Sequence, residues 1–454
     1  MSSSTPAHAP IAVPTHVDTL IFARWIIPVA PANALPEDRV LENYAIAIDG
    51  GRIAALLPAA AARSIEARQT ITLDEHALLP GLVNTHGHAP MSLLRGYADD
   101  FPLHRWLNEQ IWPAEGKWVS AEFARDGAEL AIAEMLRSGT TCFGDMYFFP
   151  DAIARTASAA GMRAQIHFPI FDFPSAWGDS ADDYIHKGLL LRDEFKHSNL
   201  ITIGFGPHAP YTVSDAPMSR VAMLAAELDA AIQIHVHETQ QEVDEALAKT
   251  GERPLARLHR LGILGPRTQC VHATALNDDD IELLQRTNSH VVHCPESNMK
   301  LASGFCPVQK LLDAGINVGL GTDGAASNND LDLFAELRSA ALLAKATARD
   351  AAALPAHAAL FMATLGGAKA LGLDEQIGSL EIGKAADIIA VDMSSIETQP
   401  LFHPISQLVY TNSGSRVTHS WIGGKLLLEN RRLTTIDPLE LRGRIAHWRK
   451  KIGS

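Results

Sequence analysis

The sequence predicts an α/β protein: a barrel of eight β/α units of the TIM type, joined to a small β-sandwich built from both chain ends. Three observations predict it. Between about residues 80 and 325, short β-branched apolar runs alternate with longer Ala- and Leu-rich segments of helical period. The apolar runs repeatedly end in His or Asp, and the strand ends are where such a barrel collects its chemistry. Both flanks break instead into short strand-like runs punctuated by Gly and Pro.

In chain order, "VDTLIFARWIIP", "YAIAIDGGRIAALLP" and "QTITLDEHALLP" read as strands of the N-terminal flank. Eight barrel strands follow, ending in "LVNTHGH", "TTCFGDMY", "RAQIHFPIFD", "ITIGFGPHAP", "IQIHVHET", "TQCVHATAL", "SHVVHCPESN" and "INVGLGTDG". Between them lie helical segments such as "EFARDGAELAIAEMLRSG", "MSRVAMLAAELDA", "DDDIELLQRT" and "VQKLLDAG", several closed by the Gly or Asn that a helix C-terminus favours. After "TLGGAKALGL", the segments "GSLEIGKAADIIAVD", "RVTHSWIGGKLLLEN" and "RRLTTID" return to the character of the first flank. The division expected is residues 1–77 and 379–454 as the two parts of the sandwich, with 78–378 as the catalytic barrel.

At 454 residues the chain is long enough for one large domain and a smaller one. A formal net charge of −14, with no run of basic residues, argues against nucleic acid and anionic membrane as partners. Cys142, Cys270, Cys294 and Cys306 show no C-x-x-C spacing, so they read as reduced thiols of a cytoplasmic protein. The start, "MSSSTPAHAPIAVPTHVD", lacks a basic region followed by an apolar core and reads as a short tail, although "VAPANA" faintly imitates a cleavage site. No stretch is long and apolar enough to span a bilayer.

The chemistry begins at "LPGLVNTHGHAP". Side chains two apart on a strand share a face, so His86 and His88 project together from the strand's end. In "IQIHVHETQQE" the same alternation offers His235 and His237 on one face, with Glu238 following. In "GLGTDGAASNN" an apolar strand delivers Asp323 into a Gly- and Asn-rich loop. Alone, each has a bland reading: accidental His pairs among twenty histidines, a turn-forming Asp, and core residues in His167 and His293. Together His86, His88, His235 and Asp323 supply three nitrogens and one oxygen, a set that suits Zn2+ and would also accommodate Fe2+ or Mn2+. No G-x-S-x-G elbow or paired Cys points to a nucleophilic route, and "GFGPHAP" is no dinucleotide loop.

The ordered motifs "GLVNTHGHAPMSLLRG", "FGDMYFFP", "GFGPHAPYTVS", "HVHET", "VHATAL", "HCPESNMKL", "GTDGAASNNDLDLF" and "EIGKAADIIAVD" resemble the amidohydrolase superfamily over nearly the whole chain. Within it the chain looks most like the deaminases acting on 5′-methylthioadenosine and S-adenosylhomocysteine. The resemblance implies one divalent metal ion, since "ITIGFGPHAP" has no Lys to bridge a second. It implies that Glu238, three residues beyond His235, protonates the purine ring nitrogen, and that spacing favours His235 over His237 as the ligand. In the mechanism this implies, Asp323 would take the proton of the attacking water, and His272 of "CVHATAL" resembles the histidine that holds the attacking oxygen.

In "HRWLNEQIWPAEGKW" the resemblance assigns Glu115, 27 residues beyond His88, to the ribose hydroxyls, in preference to Glu109, with Trp112 beside it. His208 resembles a nucleoside-contacting histidine. Relatives that take S-adenosylhomocysteine carry arginines after the third strand, whereas this chain has "HFPIFDFPSAWGDS" there, with Phe168, Phe171, Phe173 and Trp177. The order expected is therefore 5′-methylthioadenosine, adenosine, then S-adenosylhomocysteine, unless an Arg such as Arg105 reaches the site. A triazine (N-ethylammeline-type) chlorohydrolase, a guanine deaminase or a non-catalytic binding barrel are the alternatives on the same scaffold. Barrels of this kind often form homo-oligomers, and the sequence does not give the number of copies.

Overall fold

The computed structural model describes residues 14–29 and 39–453; the expected N-terminal tail through residue 13, and "VAPANA" apart from Val29, lie outside the described residues. Among the described residues sixteen strands form two sheets. The flanks provide β1 (His16–Ile26), β2 (Leu41–Asp49), β3 (Arg52–Pro58) and β4 (Glu66–Pro80), and, after the barrel, β13 (Ile388–Asp392), β14 (Val417–Ile422), β15 (Lys425–Glu429) and β16 (Arg432–Leu433). The barrel strands are β5 (Leu82–Asn84), β6 (Thr140–Asp145), β7 (Arg163–Ile170), β8 (Ile201–Pro207), β9 (Ile232–Val236), β10 (Thr268–His272), β11 (His290–His293) and β12 (Val318–Leu320).

All eight barrel strands pair in sequence order and in parallel. The Thr85 N–H donates to the Leu320 carbonyl (2.8 Å) and the Asp323 N–H to the His86 carbonyl (3.1 Å), closing the ring between its first and last strands. Every residue of β6 and β7 is buried, as expected of parallel strands covered on both faces. The outer helices start and stop where their caps dictate. Ser120 accepts from the Phe123 N–H to begin Ala121–Ser138, and Gly139, at φ 96°, ends it. Asn277 and Asp280 form a reciprocal capping box on Asp278–Thr287, which ends at Asn288.

The flanking sheet runs β16-β15-β14-β13-β4-β1-β2-β3, so both chain ends share one sheet. It curls back on itself: the Ile53 N–H donates to the Lys384 carbonyl and the Ala386 N–H to the Gly51 carbonyl, both at 2.9 Å. Inside the curl lies one apolar cluster drawn from both ends, including Ile21, Ile46, Ile53, Leu78, Ile388 and Trp421. β4 passes into β5 across Gly81 alone. The buried Arg163–Asp387 pair (2.8 Å) ties β7 to the sheet, and the Gly423 N–H donates to the same carboxylate.

The C-terminal flank departs from expectation. Only "IIAVD" of "GSLEIGKAADIIAVD" is a strand, and Pro404–Tyr410 and Pro438–Ile452 are helices. The last helix is capped by Asp437 and packs on the barrel helix Ala121–Ser138, where the Trp448 indole N–H donates to Asp126 (2.8 Å) and its ring meets Phe123 edge-on. It hides from sequence reading because "PLELRGRIAHWRKKI" buries only Leu441 and Trp448.

Gly127, in the same barrel helix, touches the turn Ala89–Leu94 that follows His88; a Cβ there would run into the Pro90 backbone. Gly→Ala inside a helix ordinarily stabilises by about 1 kcal/mol. Here overpacking against backbone outweighs that gain, so Gly127→Ala should destabilise by about 1–3 kcal/mol. A lowered unfolding midpoint in denaturant checks this, and an unchanged or raised midpoint contradicts it.

Candidate metal centre and its cleft

Strand ends from across the barrel converge on one point. β5 leads into His86 and His88, β9 carries His235, β10 ends in His272, and β12 leads into Asp323. The ring centroids of His86 lie 4.8 Å from His88 and 4.9 Å from His235. The chain bends sharply here: His237, His272, Ala273 and Asp323 have φ of 53°, 74°, 49° and 60°, left-handed values that non-glycine residues hold only where the surroundings impose them.

The imidazoles are all turned the same way. His86 Nδ1–H donates to Gln233 Oε1 (2.7 Å), His88 Nδ1–H to the Met146 carbonyl (2.6 Å) and His235 Nδ1–H to the His208 carbonyl (2.8 Å). With Nδ1 engaged in this way, each ring turns its Nε2 to the centre. The His86 and His235 Nε2 atoms stand 3.2 Å apart, and Asp323 Oδ1 lies 3.3 and 3.2 Å from the Nε2 atoms of His86 and His88. Asp323 Oδ2 accepts from the hydroxyls of Ser297 (2.7 Å) and Ser327 (2.8 Å).

Burial pulls the Asp323 pKa upward, but the imidazoles of His86 and His88 against it outweigh this and hold the carboxylate well below its usual range; burial would lower His88, and the same contact with Asp323 overrides it and raises His88 to about 9. Burial lowers His86 to about 4 and His235 well below the imidazole value. Neutral His86 and His235, whose Nε2 lone pairs face one another at 3.2 Å, repel unless a cation lies between them. His86, His88 and Asp323 lie close enough together to hold an ion, as do His86, His235 and His272, so this nitrogen and carboxylate donor set fits a divalent metal ion.

Glu238 and His272 stand beside this cluster, with His272 Nε2 3.8 Å from Glu238 Oε2. His272 Nδ1–H donates to Asn298 Oδ1 (2.9 Å). Burial, reinforced by the charge of Asp323, pushes Glu238 up to about 8, so it keeps its proton at neutral pH. Its backbone is pinned by Glu242, which accepts from the His237 and Glu238 N–H groups (3.1 and 2.8 Å).

A cleft opens from the cluster, with Trp106, Leu107, Ile111, Trp112 and Glu115 along one side. Trp106–Ile111 is a π-helical stretch between two α-helical turns, a widened turn of the kind often found at functional sites. Glu115 accepts from the Tyr147 hydroxyl (2.5 Å), and burial, partly offset by that bond, raises it to about 7. Opposite lie Phe148, Phe171 and His208, with Phe171 stacked 5.6 Å from Phe148 and 4.9 Å from His208. No Lys or Arg lines this cleft among the described residues.

The structure thus brings His86, His88, His235, His272, Asp323, Glu238, Glu115, His208 and Trp112 to one cleft, although His86 itself lies beneath its surface. His237 turns away: its Nε2 accepts from the Leu255 N–H (3.2 Å) and its Nδ1 faces Asp280. His167 and His293 are buried outside the cleft lining. Of the four aromatics expected at the cleft only Phe171 lines it; Phe168 lies within β7 and packs on Phe205, and Trp177 stacks on Tyr184. Arg105 pairs with Glu109 (2.9 Å) and does not line the cleft. Sequence reasoning missed Gln233, Tyr147, Ser297, Asn298 and Ser327. Gln233 had a signal, since it lies two before His235 on the same strand face.

A buried donor set of this kind at the C-terminal mouth of a (β/α)8 barrel defines a metal-dependent hydrolase. The chain belongs to the amidohydrolase family, whose profile matches residues 77–427, and it is a hydrolase acting on carbon–nitrogen bonds that uses a single divalent metal. It is 52% identical over 441 residues to a protein of Teredinibacter turnerae named 5-methylthioadenosine/S-adenosylhomocysteine deaminase, covering 97% of this chain and 99% of that one. A protein of the same name from Saccharophagus degradans is 53% identical over 439 residues, covering 96% and 97%. The crystal structure of an adenosine deaminase from Xanthomonas campestris with bound zinc superposes with a TM-score of 0.94 at 49% identity, covering 97% of this chain and 99% of that one.

Removing the metal should expose the repulsion among these groups. A metal in thousandfold excess over its dissociation constant stabilises a fold by about 4 kcal/mol. Chelation is therefore expected to lower the thermal midpoint by several degrees, and added zinc to restore it. An unchanged midpoint would contradict a metal held by these residues.

Proposed function

We propose that the protein hydrolytically deaminates an adenine nucleoside, 5′-methylthioadenosine foremost, giving 5′-methylthioinosine and ammonia. The observation that carries the substrate order is the cleft, which joins the imidazole–carboxylate cluster to an aromatic wall with no cation for an amino-acid carboxylate. The printed names of the relatives support the class, and zinc in the Xanthomonas campestris structure supports Zn2+ as the ion. Residues 78–378 form the catalytic unit in this reading.

His86, His88, His235 and Asp323 would hold the ion. When bound, it lowers the pKa of water toward neutrality and so supplies the nucleophile. Asp323, anchored through Oδ2 by Ser297 and Ser327, takes the water's proton on its carboxylate. Glu238, protonated up to about pH 8, donates to the ring nitrogen beside the attacked carbon. The family resemblance assigns His272 to holding the attacking oxygen; with its Nδ1 proton committed to Asn298, Nε2 is free to accept a hydrogen bond from it. Collapse of the tetrahedral carbon expels ammonia. Glu115 receives the ribose hydroxyls, and the aromatic wall around Phe171 takes the methylthio tail.

The direct test follows the ultraviolet change of the purine with zinc-loaded protein on 5′-methylthioadenosine, adenosine, S-adenosylhomocysteine, guanine and a chlorotriazine. Strongest turnover on methylthioadenosine is expected; dechlorination without aminopurine turnover would sink the nucleoside reading. Glu238→Gln should lower kcat by about 10²–10⁴-fold, the range for losing a general acid, with zinc content unchanged. Normal kcat in that variant would remove Glu238 from the chemistry.

The pH dependence of binding follows from Glu115. A raised pKa means that the carboxyl keeps its proton until about 7, and the ionised form accepts from hydroxyls more strongly than the acid does. KM for the nucleoside is therefore expected to rise as pH falls through 7 and to level off above it, and this dependence should vanish in Glu115→Gln.

A further inference from the structure

Beneath the cleft, inside the barrel, three buried glutamines from three strands form a chain of hydrogen bonds that ends on His86. Gln165 of β7 donates through Nε2 to the Leu371 carbonyl (2.9 Å). Gln269 of β10 donates to Gln165 Oε1 (2.7 Å), and Gln233 of β9 donates to Gln269 Oε1 (2.6 Å) and to the Thr85 carbonyl (2.9 Å). Gln233 Oε1 then accepts from His86 Nδ1 at 2.7 Å. All three side chains are buried, where an unmatched amide group is costly.

The chain has only one consistent direction. A backbone carbonyl accepts and never donates, so Leu371 obliges Gln165 to present its NH2, and Thr85 obliges Gln233 to do the same. Each amide then offers its oxygen to the next donor. At the end of the chain stands Gln233 Oε1, which can only accept. His86 must therefore carry its proton on Nδ1, and its Nε2 lone pair is left for the centre.

We infer that Gln233 is a positioning residue that fixes the tautomer and ring orientation of His86, and thereby sets the affinity of the site for its divalent ion. Its polarity is locked by the Thr85 carbonyl and by the glutamine chain behind it. The other two imidazoles use backbone carbonyls for the same purpose, so His86 alone depends on a side chain that a substitution can remove. This inference rests on the reading of His86 as a ligand.

The test measures zinc dissociation constants of metal-free protein by competition with a chromophoric chelator, together with the unfolding midpoint of each metal-free variant. His86→Ala tests the underlying reading: zinc binding as tight as in the parent would overturn the ligand assignment itself. Gln233→Met keeps the side-chain length but offers no comparable acceptor, and zinc binding is expected to weaken by about 10–100-fold, the range for removing a partner behind a metal-bound imidazole. Gln233→Glu retains an oxygen for His86 Nδ1 but faces two acceptors, so it should lower the midpoint while holding zinc within a few-fold of the parent. Gln165→Met breaks the far end of the chain, leaves Gln233 held by Thr85, and should likewise keep zinc affinity. If His86→Ala loses zinc while Gln233→Met stays within twofold of the parent, or if Gln165→Met weakens zinc as much as Gln233→Met, the positioning role is overturned.

Discussion

Neutral imidazole lone pairs of His86 and His235 are gathered, beside a buried carboxylate and the charged His88 that pairs with it, in a space where, without a cation, they repel. His86 and His235 meet through bare nitrogens at 3.2 Å, and Asp323 stays ionised although fully enclosed. A divalent ion turns each of these repulsions into an attraction, which is why so much of the surrounding structure serves to aim them. Carbonyls and an amide oxygen hold the Nδ1 protons of His86, His88 and His235, two serine hydroxyls hold the back of Asp323, and the backbone at Asp323 is itself left-handed.

Aiming at this precision needs a frame that does not shift. β4 of the flanking sheet runs almost directly into β5, so the strand that leads to His86 and His88 is continuous with a sheet built from both chain ends. The buried Arg163–Asp387 pair and the C-terminal helix fasten the same frame from two further sides. Removing one member of such a buried pair typically costs about 3–5 kcal/mol, because the other charge is left unpaired. The cleft above is shaped more softly, by a π-helical turn and by aromatic stacking on Phe171.

Much of the fold and the donor set was legible in the sequence because both rest on periodicity. Period-two alternation put His86 with His88 on one face, and the alternation of apolar runs and helical segments gave eight strands that the structure contains. What periodicity does not encode was less visible. Alternation alone offered His235 and His237 equally and only the resemblance favoured His235; the left-handed turn at His237 sends its ring toward Leu255 and Asp280. The aromatics after the third strand looked like a pocket, but Phe168 and Trp177 pack into the barrel's outer layer. The glutamine chain and Asn298 were hidden for another reason: a buried amide shows its purpose only when its partners from distant strands are in place.

The measurement that tests this account most directly is metal analysis with X-ray absorption on the zinc-loaded protein. The account predicts one zinc per chain in a shell of nitrogen and oxygen scatterers with the outer-shell pattern of several imidazoles. Sulfur in the shell, or a second metal at bridging distance, would contradict it.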